Sequence, residues 1–292
     1  MNELIQVGAH TYYIDCPSRI GFYQYNEDDV FVIDTGSFEK MGKKISDVCI
    51  EKGWHLKGII NTHFHADHIA GNAYLQKKYD CPAYAYGPDQ VFVEHTTLES
   101  SFLFGGFPHK GLLHRALYAK PSKCFPIEEA SLPEGLSYFP LHGHSNGMIG
   151  VRTDDDIVFI SDTLASKEVI QKYRIIYNYD IKTTLETLHE LKNINASLFV
   201  SAHVEPLTCV DELADYNISV IHDIATLITS LCETPLTFED IIKKLFDHYE
   251  LTLNEIQHAL IGSMVRSYVS YLIDEGILYT FIENNMFFIH KK

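Results

Sequence analysis

Apolar and polar positions alternate along the first two thirds of the chain in a repeating strand and helix rhythm. "TYYID", "IGFYQY" and "DVFVID" are rich in aromatic and β-branched residues and predict three strands, with "NEDD" as the hairpin turn between the second and third. "SFEKMGKKISDVCIEKG" predicts a helix, with Ser37 capping its start and Gly53 closing its end. "LKGIINTH" is nearly all apolar, the pattern of a strand buried on both faces. "HIAGNAYLQKKYD" then predicts a helix and "CPAYAYG" another strand. Positions 95–126 break the rhythm with Gly, Pro and aromatics, and are read as an insertion or lid with some helix. Strands resume at "LSYFPLHGH", "MIGVRT" and "DIVFISD", followed by the helix "DIKTTLETLHELKNI" and the buried strand "SLFVSAH".

Beyond about residue 210 the alternation stops. Three helices are predicted, "DELADYNISVIHDIATLITSLC", "LTFEDIIKKLFDHY" and "LTLNEIQHALIGSMVRSYVSYLIDEG". Thr237 and Asp240 form a capping box for the second. The third carries Ile256, Leu260, Met264, Tyr268 and Leu272 on one stripe and stops at Gly276. "ILYTFIENNMFFIH" closes the chain as a hairpin turning at Asn284 and Asn285. Three helices and a hairpin make a winged-helix-like pattern. The chain therefore divides into an α/β unit over 1–210 and a small winged-helix-like unit over 211–292.

Composition narrows the classes. With 292 residues, 46% of them hydrophobic and 21% charged, the chain has apolar material for a substantial core. The net charge of −16 opposes nucleic acid as a partner, since a phosphate backbone needs a basic face. The tail is no exception, with 13 Asp and Glu against 5 Lys and Arg over 211–292. Its apolar stripe is instead expected to pack on the rest of the chain or to form a homodimer. The N-terminus lacks a basic segment followed by an apolar one, and no apolar run reaches the roughly 20 residues that span a bilayer. Six scattered cysteines form no C-x-x-C pair and are read as reduced thiols. These features point to a cytoplasmic protein without membrane attachment.

The chemistry lies in "THFHADHIAGN", where His63, His65, Asp67 and His68 follow a buried strand. Neutral imidazole and carboxylate are both good ligands for a borderline cation such as zinc. His63 and His65, two apart, leave an extended segment on the same side. Asp67 and His68 lie at the turn into the helix and can address a second ion. Three more strand ends supply His142 and His144 in "PLHGHSNG", Asp162 in "VFISDT" and His203 in "LFVSAHVEP". In open α/β sheets, ligand sites gather at the carboxyl ends of strands.

H-x-H-x-D-H after a strand, then G-H-S, then S-D, then a strand-terminal A-H, resembles the metallo-β-lactamase fold superfamily over roughly residues 1–210. "THFHADHIAGN" also resembles the signature of its glyoxalase II-like hydrolases. The resemblance implies an αββα sandwich of the metallo-β-lactamase type with two zinc ions, for which iron or manganese can substitute. It implies that His63, His65 and His144 hold the first ion and Asp67, His68 and His203 the second, with Asp162 between them. His142 is read as a supporting residue. Members often carry Gly after the last histidine where this chain has Val204, and nearby Glu205 is set aside because His203 ends the strand. Zinc lowers the pKa of bound water from 15.7 to about 7, so a metal-bound hydroxide is available at neutral pH. Asp67 is expected to orient it.

The expected activity is hydrolysis of a small thioester or ester, as in glyoxalase II. A nuclease, phosphodiesterase or lactonase of the same superfamily is the alternative. An anionic part of a small-molecule substrate could be held by His109, Lys110, His114 and Arg115 in the insertion, or by Tyr173, Arg174 and Tyr177 after Asp162. Two other classes stand further off. A di-iron oxidoreductase usually replaces one loop histidine with glutamate, and His65 argues against it. A metal-free binding protein would not need the full ligand set.

Overall fold

The computed structural model describes residues 3–292. A seven-stranded sheet runs in chain order through β1 (Leu4–Gln6), β2 (Thr11–Ile14), β3 (Ile20–Gln24), β4 (Asp29–Ile33), β5 (His55–Ile60), β6 (Ala83–Ala85) and β7 (Cys124–Pro126). A four-stranded sheet is formed by β8 (Leu136–Pro140), β9 (Ile149–Thr153), β10 (Ile157–Ser161) and β11 (Leu198–Ser201), in the order β11-β10-β9-β8. Among the helices, α1 (Glu39–Lys52), α2 (Ala66–Ile69), α3 (Asn72–Tyr79), α4 (Asp89–Glu94) and α5 (Thr97–Phe104) belong to the first sheet and the insertion. They are followed by α6 (Lys167–Tyr173) and α7 (Ile181–Leu191), and then by α8 (Asp211–Leu231), α9 (Phe238–His248) and α10 (Glu255–Asp274). A hairpin of β12 (Leu278–Glu283) and β13 (Met286–Lys291) ends the chain.

The period-2 pattern of each strand sorts its side chains into layers. In β4, Val30 and Val32 face a core shared with Met41, Ile45 and Val48 of α1, while Phe31 and Ile33 face the second sheet. In β10, Ile157 and Phe159 face the first sheet, while Val158 and Ile160 turn outward onto α7 and α8. Helices thus cover both outer faces and the two sheets meet at the centre, an αββα sandwich. The sheets approach closely at Gly21, where an added Cβ would lie 2.5 Å from the Phe159 ring. β4 and β5 run parallel, as do β10 and β11. Their carboxyl ends carry Asp34, the His63 loop, Asp162 and His203, which the sandwich gathers at one edge.

The C-terminal elements share the largest core. Leu185 and Leu188 of α7, Ile221 and Ile228 of α8, Ile242 of α9, Met264 and Tyr268 of α10 and Ile289 of β13 form one buried cluster with Val158 and Ile160. The α10 stripe divides its work. Met264, Tyr268 and Leu272 enter that cluster, while Ile256 and Leu260 pack on Leu103, Leu112 and Leu117 of the insertion. The Thr237–Asp240 capping box is present, Gly276 has φ of 74°, and Asn284 and Asn285 turn the hairpin at φ of 50° and 63°.

Some local expectations change. Ser37 does not cap α1: Phe38 holds that position without a side-chain bond, and the Ser37 hydroxyl pairs with Ser18 at 2.9 Å. The helix expected after His68 is divided into α2 and α3, where the Ala70 N–H bonds the Gly36 carbonyl at 3.3 Å and Gly71 packs against Thr35 and Gly42. The short β1, α4 and α6 carried no strong period. All six cysteines are unpaired. Among the described residues no helix is long and apolar enough to cross a membrane.

Candidate metal centre

Seven side chains from four strand ends converge. His63, His65 and His144 form one group, His63, His68 and Asp162 a second, and Asp67, His68 and His203 a third, with the ligand atoms of each group all within 4.8 Å of one another. His65 Nδ1 lies 3.0 Å from His63 Nε2 and 3.0 Å from His144 Nε2. Asp162 stands between the two halves: its Oδ1 is 3.2 Å from His68 Nε2, and its Oδ2 is 3.3 Å from His203 Nε2 and 3.6 Å from His144 Nε2. Asp67 Oδ2 lies 3.4 Å from His203 Nε2.

Four of the five rings are anchored on the side away from the cluster. His68 Nδ1 meets Asp34 Oδ2 at 2.8 Å, His203 Nδ1 meets the Pro17 carbonyl at 2.6 Å, and His144 Nδ1 meets the Tyr177 carbonyl at 3.1 Å. His63 Nδ1 lies between the hydroxyls of Ser161 and Thr62 at 3.2 and 3.3 Å. A proton held on the outer nitrogen leaves the inner one as a lone pair, the arrangement that metal-binding histidines use.

The donor set fits a metal. His68 Nε2 and Asp162 Oδ1 are buried and have no hydrogen-bond partner, a costly condition unless something else occupies them. Three imidazole nitrogens meeting at 3.0 Å have no acceptor among them beyond one another. With zinc–nitrogen bonds of about 2.0–2.1 Å, tetrahedral ligand atoms sit about 3.3 Å apart, close to this spacing. Burial holds His63 well below the usual imidazole range, pushes His65 down to about 3 and lowers His144, so all three are neutral and able to bind. The other half is arranged differently. Asp162, with burial opposing, pushes His203 up to about 10. Burial also opposes a charge on His68, but Asp162, Asp67 and Asp34 outweigh it and hold that ring well above its ordinary value. Burial works against charge on Asp162 and Asp67 too, yet His203 and His68 keep both carboxylates ionised. These two carboxylates thus demand positive charge, which a divalent cation supplies without protonating the histidines.

The family model of the metallo-beta-lactamase superfamily matches residues 13–203. The chain belongs to that superfamily. Among superfamily relatives, the probable metallo-hydrolase YybB of Bacillus subtilis (strain 168) is 24% identical, over 72% of this chain and 95% of its own length. The hydroxyacylglutathione hydrolase of Shewanella loihica is 29% identical, over 47% of this chain and 43% of its own length. The crystal structure of a metallo-beta-lactamase family protein from Thermus thermophilus superimposes with a TM-score of 0.70 at 15% identity, covering 97% of this chain and 99% of that one. That likeness of fold extends through the C-terminal helices.

Beside this ligand cluster, the residues proposed for an anionic substrate group separate. Tyr177 lies against the site, its ring 5.6 Å from His65 and 5.7 Å from His144. The other six do not join it. His109, Lys110, His114, Arg115, Tyr173 and Arg174 are exposed, and none lines the cavity beside His144. Arg115 lies over the Phe38 ring, and the rings of His109 and His114 accept from nearby backbone N–H groups. His142 stands apart from the cluster, stacked on Tyr86 with Nδ1 against the Met148 carbonyl. Glu205 pairs with Arg19 at 2.8 Å, away from the ligand atoms.

Several contributors escaped the sequence reading. Asp34 ends "VFVID" as Asp162 ends "VFISD", so its strand-end signal was available. Its carboxylate also accepts from the Thr62 backbone N–H at 2.8 Å and the Thr62 hydroxyl at 2.7 Å. Ser18, whose hydroxyl reaches Asp67 Oδ2 at 2.8 Å, carried no local signal. Neither did Glu99 of α5, which is 4% exposed and bonded to the Ala66 backbone beside Asp67.

Burial pushes the Glu99 carboxyl well above its usual range, so it is held as the neutral acid. The folded state binds this proton more tightly than the unfolded state. Its stabilisation is therefore complete below a pH of about 4.3 and is lost as pH rises toward the folded value. Glu99→Gln, which mimics the neutral acid, should melt with the wild type near pH 4 and above it near pH 8. Glu99→Ala, which strands the Ala66 N–H at a cost of about 1–3 kcal/mol, should melt lower at both. Thermal melts at the two pH values check this, and a Gln variant melting below the wild type at the higher pH would refute it.

Proposed function

We propose that this chain is a binuclear zinc hydrolase of a small thioester or ester. The observation that carries the reading is the chain of three ligand groups linked through His63 and His68, with Asp162 3.2–3.6 Å from His68, His203 and His144, and with His68 Nε2 and Asp162 Oδ1 buried and without a hydrogen-bond partner. His63, His65 and His144 would hold one ion and Asp67, His68 and His203 the other, with Asp162 between them. Bound ions would act as Lewis acids on the carbonyl and ionise water at neutral pH.

The chain's own residues set the stage for that chemistry. Asp34, Pro17 and Tyr177 fix the tautomers and planes of three imidazoles. Ser18 steadies Asp67, whose side chain is 33% exposed, and Asp67 there can orient the attacking water and hold its proton. No serine or cysteine nucleophile is required: Cys124, for instance, is buried with its thiol pushed up to about 12. Phosphodiesters and nucleic acid are disfavoured because no Lys or Arg lines the cavity beside His144 and the protein carries a net charge of −16. Lactones, as cyclic esters, remain within the proposed class. On the same grounds the C-terminal unit serves as packing for the insertion rather than as a reader of DNA.

Elemental analysis of protein prepared without chelator tests the reading, beside an activity panel of thioesters, lactones, phosphodiesters and short RNA. About two zinc per chain and turnover of thioesters or esters are expected. Less than about one metal per folded chain, or turnover confined to the phosphodiesters, would sink it.

A further inference from the structure

A cavity of about 160 Å³ opens beside His144. Its walls include Phe64, Phe92, Phe102, Tyr177, Tyr179 and Pro88. Phe64 and Phe92 stack with ring centroids 4.2 Å apart, and Phe102 meets Tyr179 at 5.2 Å. This aromatic wall is continuous with the ligand cluster, since the Phe64 ring lies 4.8 Å from that of His65. We propose that the cavity is the acyl subsite of the hydrolase described above, and that it takes an uncharged apolar group about the size of a phenyl ring. The proposal rests on the hydrolase reading for its chemistry and on the cavity alone for its selectivity.

Size and polarity both point this way. An apolar cavity of about 150 Å³ in another protein stays dry and binds benzene. The one acid in the lining, Asp89, is already occupied: it accepts from the Ser145 hydroxyl at 2.7 Å and the Gly147 N–H at 2.9 Å. Burial pushes its carboxyl up to about 7, and in either protonation state it brings no positive charge to a second carboxylate. A charged acyl group would lose its hydration with no cation in the cavity wall to replace it. Phe102, 41% exposed at the mouth, gains a partner when the cavity fills.

The experiment uses the full-length zinc-loaded protein and four thioesters with one common thiol: acetyl, hexanoyl, phenylacetyl and succinyl. Since each methylene in an apolar pocket changes specificity by roughly tenfold or more, kcat/KM for hexanoyl and phenylacetyl should exceed that for acetyl by at least about tenfold, with succinyl lowest. Binding of neutral phenylacetamide, followed by ligand-detected NMR, supplies a readout free of turnover. Phe102→Ala should weaken that binding and narrow the phenylacetyl preference, and Phe102→Arg should raise succinyl relative to phenylacetyl. Equal or better turnover of acetyl and succinyl would overturn the subsite while leaving the hydrolase intact. Phenylacetamide binding that Phe102→Ala weakens, with no thioester turned over, would uphold the subsite and overturn the thioester reaction. Absence of phenylacetamide binding would overturn the subsite outright.

Discussion

Replacing Asp162 by alanine is expected to cut kcat/KM by two to nearly four orders of magnitude while leaving the sheet folded. Its Oδ2 lies 3.6 Å from His144 Nε2 of one half and 3.3 Å from His203 Nε2 of the other, and its Oδ1 lies 3.2 Å from His68 Nε2, so one side chain faces both halves of the centre. Removing one partner of a buried charge pair costs about 3–5 kcal/mol. At 1.36 kcal/mol per factor of ten, that is roughly a hundredfold to several thousandfold in whatever the pair supports. Under the proposed function it would support the binding of two cations. The smaller side chain disturbs little else, because β10 is held by its neighbours β9 and β11 and by the cores on its two faces. Metal analysis should show loss of at least one ion, and circular dichroism an unchanged fold. A variant with near wild-type turnover and full metal content would show that Asp162 does not join the two halves.

The second large effect is expected at Asp34, which touches no metal-facing atom. Its Oδ2 accepts from His68 Nδ1 and from the Thr62 hydroxyl, and its Oδ1 from the Thr62 backbone. Groups that orient a metal-binding histidine in this way are typically worth 10–100-fold in metal affinity. Asp34→Asn should weaken zinc by about that factor, because the amide removes the negative charge that favours His68 as a donor of its outer proton. Its fold should persist, since asparagine tolerates the left-handed backbone of this residue, at φ of 59°. Asp34→Ala should lose more, having neither the acceptor oxygens nor a side chain suited to that backbone. Competition against a chelating dye measures the affinity, and an unchanged zinc constant in the asparagine variant would refute the role.

The two sites differ in how visible they were along the chain. Asp162, like His144 and His203, ends or follows an apolar strand and has a residue type that zinc accepts, so pattern and chemistry coincide. Asp34 has the same placement, and only the folded chain shows that it faces His68. The apolar alternation of β4 and β10 placed their side chains in the correct layers. The capping box at Thr237 and the Asn284–Asn285 turn were local enough to read directly. Ser37 was a plausible cap by its position, but the hydroxyl of Ser18, nineteen residues earlier, is its partner instead.

What the sequence determined by itself were quantities of short range: the strand and helix periods, the caps, and the ligand-type residues at strand ends. Each depends on a few consecutive residues whose geometry the backbone fixes. The tertiary structure decided the rest, because it turns on contacts between distant segments. His144 meets His65 across 79 positions, and Arg19 meets Glu205 across 186. The aromatic cavity is assembled from α4, α5 and the loops around His65, His144 and Tyr177, none of which carries a mark of its destination. The basic residues of the insertion looked like an anion site in one dimension. In three dimensions α5 turns Phe102 toward the cavity and leaves Lys110 and Arg115 in solvent, since burying an unpaired cation costs far more than burying a ring.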